Sequence, residues 1–173
     1  MIRANNKAGR IAMHSEPCVA RSSLMDTLTK QQRSERMSRI RNKDTGPELT
    51  VRRLVHSLGY RYRLHGRKMP GRPDLVFRSR RAVIFVHGCF FHRHLDPACR
   101  LARLPKSRLD FWLPKLEGNR VRDERNIHAL IELGWRVLIV WECQLPHKVR
   151  LQRRITKFLG TSGPCPKATP RKR

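Results

Sequence analysis

Cys89, His94 and Cys99 stand at C-x4-H-x4-C, and Cys143 follows 44 residues later. Three thiols and an imidazole form a donor set suited to tetrahedral zinc, and a site closed by four protein ligands holds structure rather than doing chemistry. The spacing is wider than a zinc finger's, and His92 competes as a ligand. The plainer alternative is that Cys143 is a small buried hydrophobe and the histidines lie on the surface. The same 13 residues, His87 to Cys99, carry two further groups able to do chemistry. His87 and His92 are candidates for acid–base work, because imidazole titrates near neutral pH. Phe90 and Phe91 are neighbours, so on a regular strand they cannot both face the core. With Trp112 they could wedge between base pairs, or Phe90 or Phe91 could pack on the loop while Trp112 packs a helix onto the sheet.

Among the 13 acids of the chain, Asp74 follows "PGRP" and opens an apolar run. A carboxylate at a strand end can hold Mg2+ with several waters, and Mg2+ there could activate water and stabilise charge on a cleaved phosphodiester. Glu48 could add a second carboxylate. Each acid also has an ordinary reading, Asp74 as a turn cap and Glu48 in a helix first turn. Asp123, in "NRVRDERN", could orient one of the histidines, or form a helical ion pair with Arg120 or Arg122.

The elements that must position these groups are legible as patterns. The chain has 173 residues, enough for one domain with a full core, and 39% of them are hydrophobic. Thr29 and Gln32 make a capping box, which predicts a polar, basic helix to about Asn42. "KDTGPE" breaks it, and Pro47 suits the first turn of a second helix. There Val51, Leu54, Val55 and Leu58 fall on one face, and Gly59 ends the run. "YRYRL" alternates like a strand, "PGRP" turns, and "DLVFRS" and "RAVIFVHG" form a strand pair, the second apolar enough to be central. A long helix is expected over about 106–133, adjusted at Pro114 and Gly118 and stopped by Gly134. "WRVLIVWEC" is the next buried strand. "HKVRLQRRITKFLG" is a closing amphipathic helix with Val149, Gln152, Ile155 and Leu159 near one face. The order α-α-β-β-β-α-β-α implies one α/β domain around a mixed central sheet. Residues 1–24 read as a disordered basic arm, or as sequence upstream of a start at Met25, and 161–173 as a disordered basic tail.

Thirty-nine Lys and Arg against 13 Asp and Glu give a net charge of +26. Such an excess calls for a polyanion, and nucleic acid leads because each phosphate contact releases counterions. A membrane surface is the rival, but no run of about 18 apolar residues and no apolar signal segment is present. Five cysteines without a secretory signal argue for a reducing compartment and for metal or free thiols.

Taken together, "MPGRPDLVF", "VIFVHGCFFHRH", "DFWLPKLEGNRVRDERN" and "LGWRVLIVWEC" resemble the very short patch repair endonucleases, the DNA mismatch endonucleases of the Vsr family. The early "RSERMSRIRNKDTGPE" is similar to that family's N-terminal region, and the likeness runs from about Leu28 to Leu159. The resemblance implies a restriction-endonuclease-like core over residues 25–160. It implies Mg2+-dependent nicking of double-stranded DNA 5′ of the thymine of a T·G mismatch, left when 5-methylcytosine deaminates. Carried over residue by residue, it makes Asp74 the Mg2+ aspartate and Val86 the donor of a main-chain carbonyl to the same ion. His92 becomes the catalytic histidine, with His87, Asp123 and Glu48 around it. Cys89, His94, Cys99 and Cys143 become structural zinc ligands, and Phe90, Phe91 and Trp112 the wedge that opens the duplex. It also implies a bacterial, cytoplasmic, nucleoid-associated protein that works beside other mismatch-repair proteins. A monomer is expected from the lack of heptads.

The sequence departs from the pattern at several points. "FVHG" offers neither the acid nor the lysine usual on this strand in the wider nuclease fold. Phe91 stands where the family usually has Trp, and "LDPA" lengthens the loop between His94 and Cys99. Two rivals share the composition. One is a non-catalytic zinc-containing nucleic-acid-binding protein, which would not need Asp74. The other is a nuclease of the same fold with another DNA target.

Overall fold

A computed structural model describes Thr29, residues 31–32, Glu35 and residues 44–105 and 108–161. The capping box is formed: the Thr29 N–H donates to Gln32 Oε1 (3.0 Å) and the Gln32 N–H to Thr29 Oγ1 (3.2 Å). The rest of the expected first helix, the arm 1–24 and nearly all of the tail lie outside the described residues.

From residue 44 onward the elements are α1 (Gly46–Ser57), β1 (Arg63–Leu64), β2 (Leu75–Phe77), β3 (Ala82–His87), α2 (Leu109–Glu132), β4 (Arg136–Trp141) and α3 (Lys148–Leu159). The strands form one mixed sheet in the order β1-β2-β3-β4. β1–β2 and β2–β3 are antiparallel, and β3–β4 is parallel, with α2 as the crossover. β3 is buried at all six positions, as its unbroken apolar sequence requires.

Side-chain alternation splits the core in two. Ile84, Val86, Leu138 and Val140 meet Val51 and Val55 of α1 and Leu151, Ile155 and Leu159 of α3. Val83 and Phe85 belong to the second cluster with Leu130, and Ile127 of α2 packs against it. His87 continues that second register at the end of β3, which brings it to the α2 side.

Two expectations need correction. The predicted strand "YRYRL" shrinks to Arg63–Leu64, because Tyr60 leaves the pairing to bury its ring and to donate its hydroxyl to the Gly160 carbonyl. In α3 the buried stripe is Leu151, Ile155 and Leu159, while Val149 is 64% exposed. Val149 lies two residues before Leu151, about 200° around the helix at 3.6 residues per turn, so it faces away. Pro114 sits in the sixth position of an α2 that runs unbroken for 24 residues. Its ring removes one bond near the helix start, where the disruption is smallest.

Arginines close the end of the sheet opposite the β3 C-terminus. Arg81 donates to the Leu133 and Gly134 carbonyls at the end of α2. Arg80 donates to Leu159 and Thr161, and Arg136 to Phe158, at the end of α3. Cations at helix C-termini satisfy orphan carbonyls and the helix dipole.

The α3 assignment predicts a contrast. Ile155→Ala should cost about 2–4 kcal/mol in urea unfolding, as deletion at a fully buried site does, while Val149→Ala should stay within about 0.5 kcal/mol. Equal losses at both sites would contradict the face described.

Candidate active site and metal cluster

The chemistry-bearing residues gather where β3 and β4 end. The parallel register sets His87 beside Trp141. Two residues beyond each lie Cys89 and Cys143, and the Cys143 N–H points to Cys89 Sγ at 3.4 Å. After β3 the chain folds into tight turns, His92 N–H to the Gly88 carbonyl (3.1 Å) and His94 N–H to the Cys89 carbonyl (2.9 Å). These turns bring His94 Nδ1 to 3.6 Å from Cys143 Sγ. Ligand atoms of Cys89, His94, Cys99 and Cys143 all lie within 4.8 Å of one another, so the four can hold a metal ion. Burial pushes the Cys89 thiol up to about 12 and raises Cys143 as well, so both stay protonated without a cation to displace the proton.

On the α2 side of β3, His92 Nδ1 lies 2.6 Å from Asp123 Oδ2. Asp123 is not paired with Arg120 or Arg122. Arg120 bonds Glu117 and Glu124, and Arg122 bonds Asn119. The His92 ring stacks on His87 with centroids 3.9 Å apart and planes 10° from parallel. Burial pushes His87 down to about 3, reinforced by the neighbouring His92 and opposed by Asp123. His87 is therefore neutral at neutral pH.

Asp74 sits just before β2, opposite the last turn of β3. Its Oδ2 accepts the Val86 N–H at 2.7 Å. Within a strand the N–H and C=O of one residue point the same way, so the Val86 carbonyl also faces the Asp74 edge. Burial raises the Asp74 carboxyl to about 6. The Val86 N–H, Arg52 and His65 oppose this, and Glu48 adds to it. Glu48 is buried, but its carboxylate is already engaged. It accepts from the Asp44 N–H, the Thr45 hydroxyl and Arg52 Nη2, each at 3.0 Å. The helix-capping alternative thus describes its contacts, and its action on Asp74 is through charge.

Phe90, Phe91 and Trp112 are half-buried and form one edge-to-face set, with Phe90 5.1 Å from Phe91 and 5.2 Å from Trp112. Asn119 on α2 anchors the loop by donating to the Phe91 carbonyl at 3.0 Å.

Sequence reasoning passed over three residues. Phe111 extends the ring set: it lies 5.3 Å from Trp112, is 44% exposed, and carries Arg108 and Lys115 over its face. Its signal was its place beside Trp112. His65, held at φ 48°, donates its N–H to the Asp74 carbonyl and favours the charged carboxylate. Trp141 stacks on His94 and meets His87 edge-on. Both depend on pairing across strands, which no local pattern announces.

A family profile described as DNA mismatch endonuclease Vsr matches residues 25–98, which include Glu48, Asp74 and His87 to His94. The chain is 50% identical over 139 residues to the Type II nicking enzyme V.XorIIP of Xanthomonas oryzae pv. oryzae, covering 80% of this chain and 100% of the relative. It is 44% identical over 128 residues to the DNA mismatch endonuclease Vsr of Escherichia coli, covering 74% and 80%. It is 37% identical over 136 residues to the Type II nicking enzyme V.NmeAIP of Neisseria meningitidis, covering 79% and 95%. The protein is a DNA endonuclease, a hydrolase whose substrate is DNA. It belongs to the Vsr family of DNA mismatch endonucleases. Among the described residues no helix is long and apolar enough to cross a membrane.

The cluster predicts about one tightly held transition-metal ion per chain by elemental analysis. Cys143→Ser should lose most of that metal and fold poorly. A soluble, fully active Cys143→Ser protein without metal would count against the cluster.

Proposed function

We propose that this protein nicks duplex DNA 5′ of the thymine in a T·G mismatch, and so starts very short patch repair in the bacterial cytoplasm. One observation carries the reading. The His92–Asp123 dyad, the Asp74–Val86 pair and the ring set of Phe90, Phe91 and Trp112 all meet around the end of β3. A binding module has no need of an oriented imidazole and a half-buried carboxylate of raised pKa at one strand end. In this reading residues 25–160 form a restriction-endonuclease-like catalytic domain.

The residues around Asp74 fit Mg2+. A carboxylate held up at about 6 by burial is only partly compensated by the Val86 N–H, Arg52 and His65, and the Val86 carbonyl offers a neutral oxygen on the same edge. Mg2+ bound there supplies an activated water and neutralises charge on the phosphodiester. The chain's own residues do the rest. Asp123 fixes His92 through Nδ1, which leaves Nε2 to exchange a proton at the scissile phosphate. His87 stays neutral beneath it, so it supports the ring without adding positive charge. Glu48 restrains the local charge around Asp74. Phe90, Phe91 and Trp112 enter the stack beside the mismatch, where unstacking is cheapest. Phe91 offers a smaller ring than Trp and stacks more weakly.

The fourfold cluster fits zinc. Its donors are soft, and the 3.6 Å separation of Cys143 Sγ and His94 Nδ1 matches the edge of a tetrahedron. Zn–S and Zn–N bonds of about 2.3 and 2.1 Å give an edge of about 3.6 Å. The zinc ion would tie the ring-bearing loop to β4.

A nicking assay on end-labelled duplexes, T·G against C·G, tests the reading. Wild-type protein with Mg2+ should cut only beside the mismatched thymine, and EDTA should stop it. Asp74→Ala should lose at least about 100-fold in rate while keeping mismatch affinity. Cutting that ignores the mismatch would refute the specificity, and nicking by Asp74→Ala would remove Asp74 from the mechanism.

Asp74 also sets a pH dependence. Below about pH 6 the carboxyl holds its proton and competes with the cation. The acid limb of nicking should therefore lie near 6 at limiting Mg2+ and move down as Mg2+ rises. A limb that ignores Mg2+ concentration would contradict this. The folded value lies above the ordinary one, so ionised Asp74 destabilises the metal-free fold. That penalty is absent below about pH 4, grows between about 4 and 6, and is complete at pH 8. Asp74→Asn should stabilise the metal-free protein at pH 8 by about 1–3 kcal/mol in thermal melts.

A further inference from the structure

Trp141 has no part in the chemistry assigned above, yet its indole touches both centres. On one side it stacks on His94, centroids 4.3 Å apart and planes 22° from parallel. On the other it meets His87 edge-on at 5.3 Å. His87 in turn stacks on His92, and His92 bonds Asp123. Five side chains thus run from the metal cluster to the catalytic dyad without a gap: His94, Trp141, His87, His92, Asp123.

The surrounding space makes this path restrictive. A cavity of about 520 Å3 lies on the cluster side, lined by His94, Cys99, Trp141 and Cys143. Another of about 330 Å3 lies on the dyad side, lined by His87, His92, Trp141 and Asp123. Trp141 borders both. His87 is buried, with the Phe85 ring 5.7 Å away and tilted, and Trp141 is the ring that links it to His94. Removing the indole would leave the edge of His87 that faces it without an opposing contact, and the stack would lose that constraint. The register His87↔Trp141 fixes where the indole starts, and its two ring contacts fix where it ends.

We propose that Trp141 is a positioning residue for nicking: its indole, held between His94 of the metal cluster and buried His87, keeps the His87–His92 stack in the geometry that aims His92 at the phosphate. The inference rests on the reading of His92 as the catalytic histidine. An order imposed on His94 by a bound metal would pass through the indole to an imidazole that is no ligand of that metal.

The test compares metal-loaded wild-type protein with Trp141→Leu, Trp141→Phe and His92→Ala. Four quantities are read: bound metal, mismatch-duplex affinity, single-turnover nicking at saturating protein, and NMR contacts between the His87 and His92 ring protons. Trp141→Leu should keep its metal and bind the duplex within about twofold of wild type. It should nick at least about tenfold more slowly and weaken the His87–His92 ring contact. Trp141→Phe should recover the contact and most of the rate, since a phenyl ring can still fill the gap. Full-rate nicking by Trp141→Leu beside an inactive His92→Ala would overturn the inference alone. Loss of metal from both Trp141 variants would overturn it too, by reducing the indole to a support of the cluster. Wild-type nicking by His92→Ala would overturn the reading of the dyad and the inference with it.

Discussion

The parallel pairing of β3 with β4 is the constraint on which the rest of this site depends. Its register sets His87 beside Trp141, and the next two residues on each strand deliver Cys89 and Cys143 to one point. A one-residue slip would invert every side chain beyond it. His87 would leave the α2 side and lose His92, and Cys89 would leave Cys143. The slip is opposed by the core itself. β3 is buried on both faces, so displacement would exchange Ile84 and Val86 for Val83 and Phe85 across two differently shaped clusters. Hydrophobic packing in the middle of the sheet thereby sets the geometry of the polar chemistry at its end.

Burial also decides which groups carry charge. His87 is kept neutral by the apolar strand that holds it, so a ring can lie 3.9 Å from His92 without electrostatic conflict. Asp74 is pushed the other way, its burial raising the carboxyl above its ordinary value. The +26 charge is not a uniform coat for DNA. Arg80, Arg81 and Arg136 close helix ends at the far side of the sheet, Arg52 is buried against Glu48, and Arg120 is paired with Glu117 and Glu124. A share of the arginine is therefore structural, and total charge overstates what is available to phosphates.

The parts legible in the sequence are those with a local cause. β3 and β4 announce themselves as apolar runs, α1 by its cap and spacing, and the Cys/His cluster by the types and intervals of its four members. The illegible parts arise from competition between distant groups. Tyr60 gives up strand pairing for burial, so β1 is two residues long. Spacing alone places Val149 and Gln152 near the apolar face of α3, while the sheet it meets selects Leu151 instead. The contacts of Glu48 with Asp44, Thr45 and Arg52 depend on how the loop before α1 folds back on the helix. Trp141 read as one more apolar residue of a strand, because what distinguishes it is contact with His94 and His87, one across the ladder and the other in a loop.

This arrangement divides labour between rigid and reactive parts. Adjacent aromatic residues cannot be presented together by a regular strand, since alternate side chains face opposite ways. The chain meets that demand by leaving the sheet at Gly88 and winding Phe90, Phe91 and His92 into successive turns. The loop is held at several points: Cys89 and His94 lie in the Cys/His cluster, Phe90 packs on Trp112, and the Phe91 carbonyl accepts from Asn119 of α2. His92 lies between these ties and bonds Asp123, four residues after Asn119 on the same helix. One helix face therefore holds both the ring-bearing loop and His92.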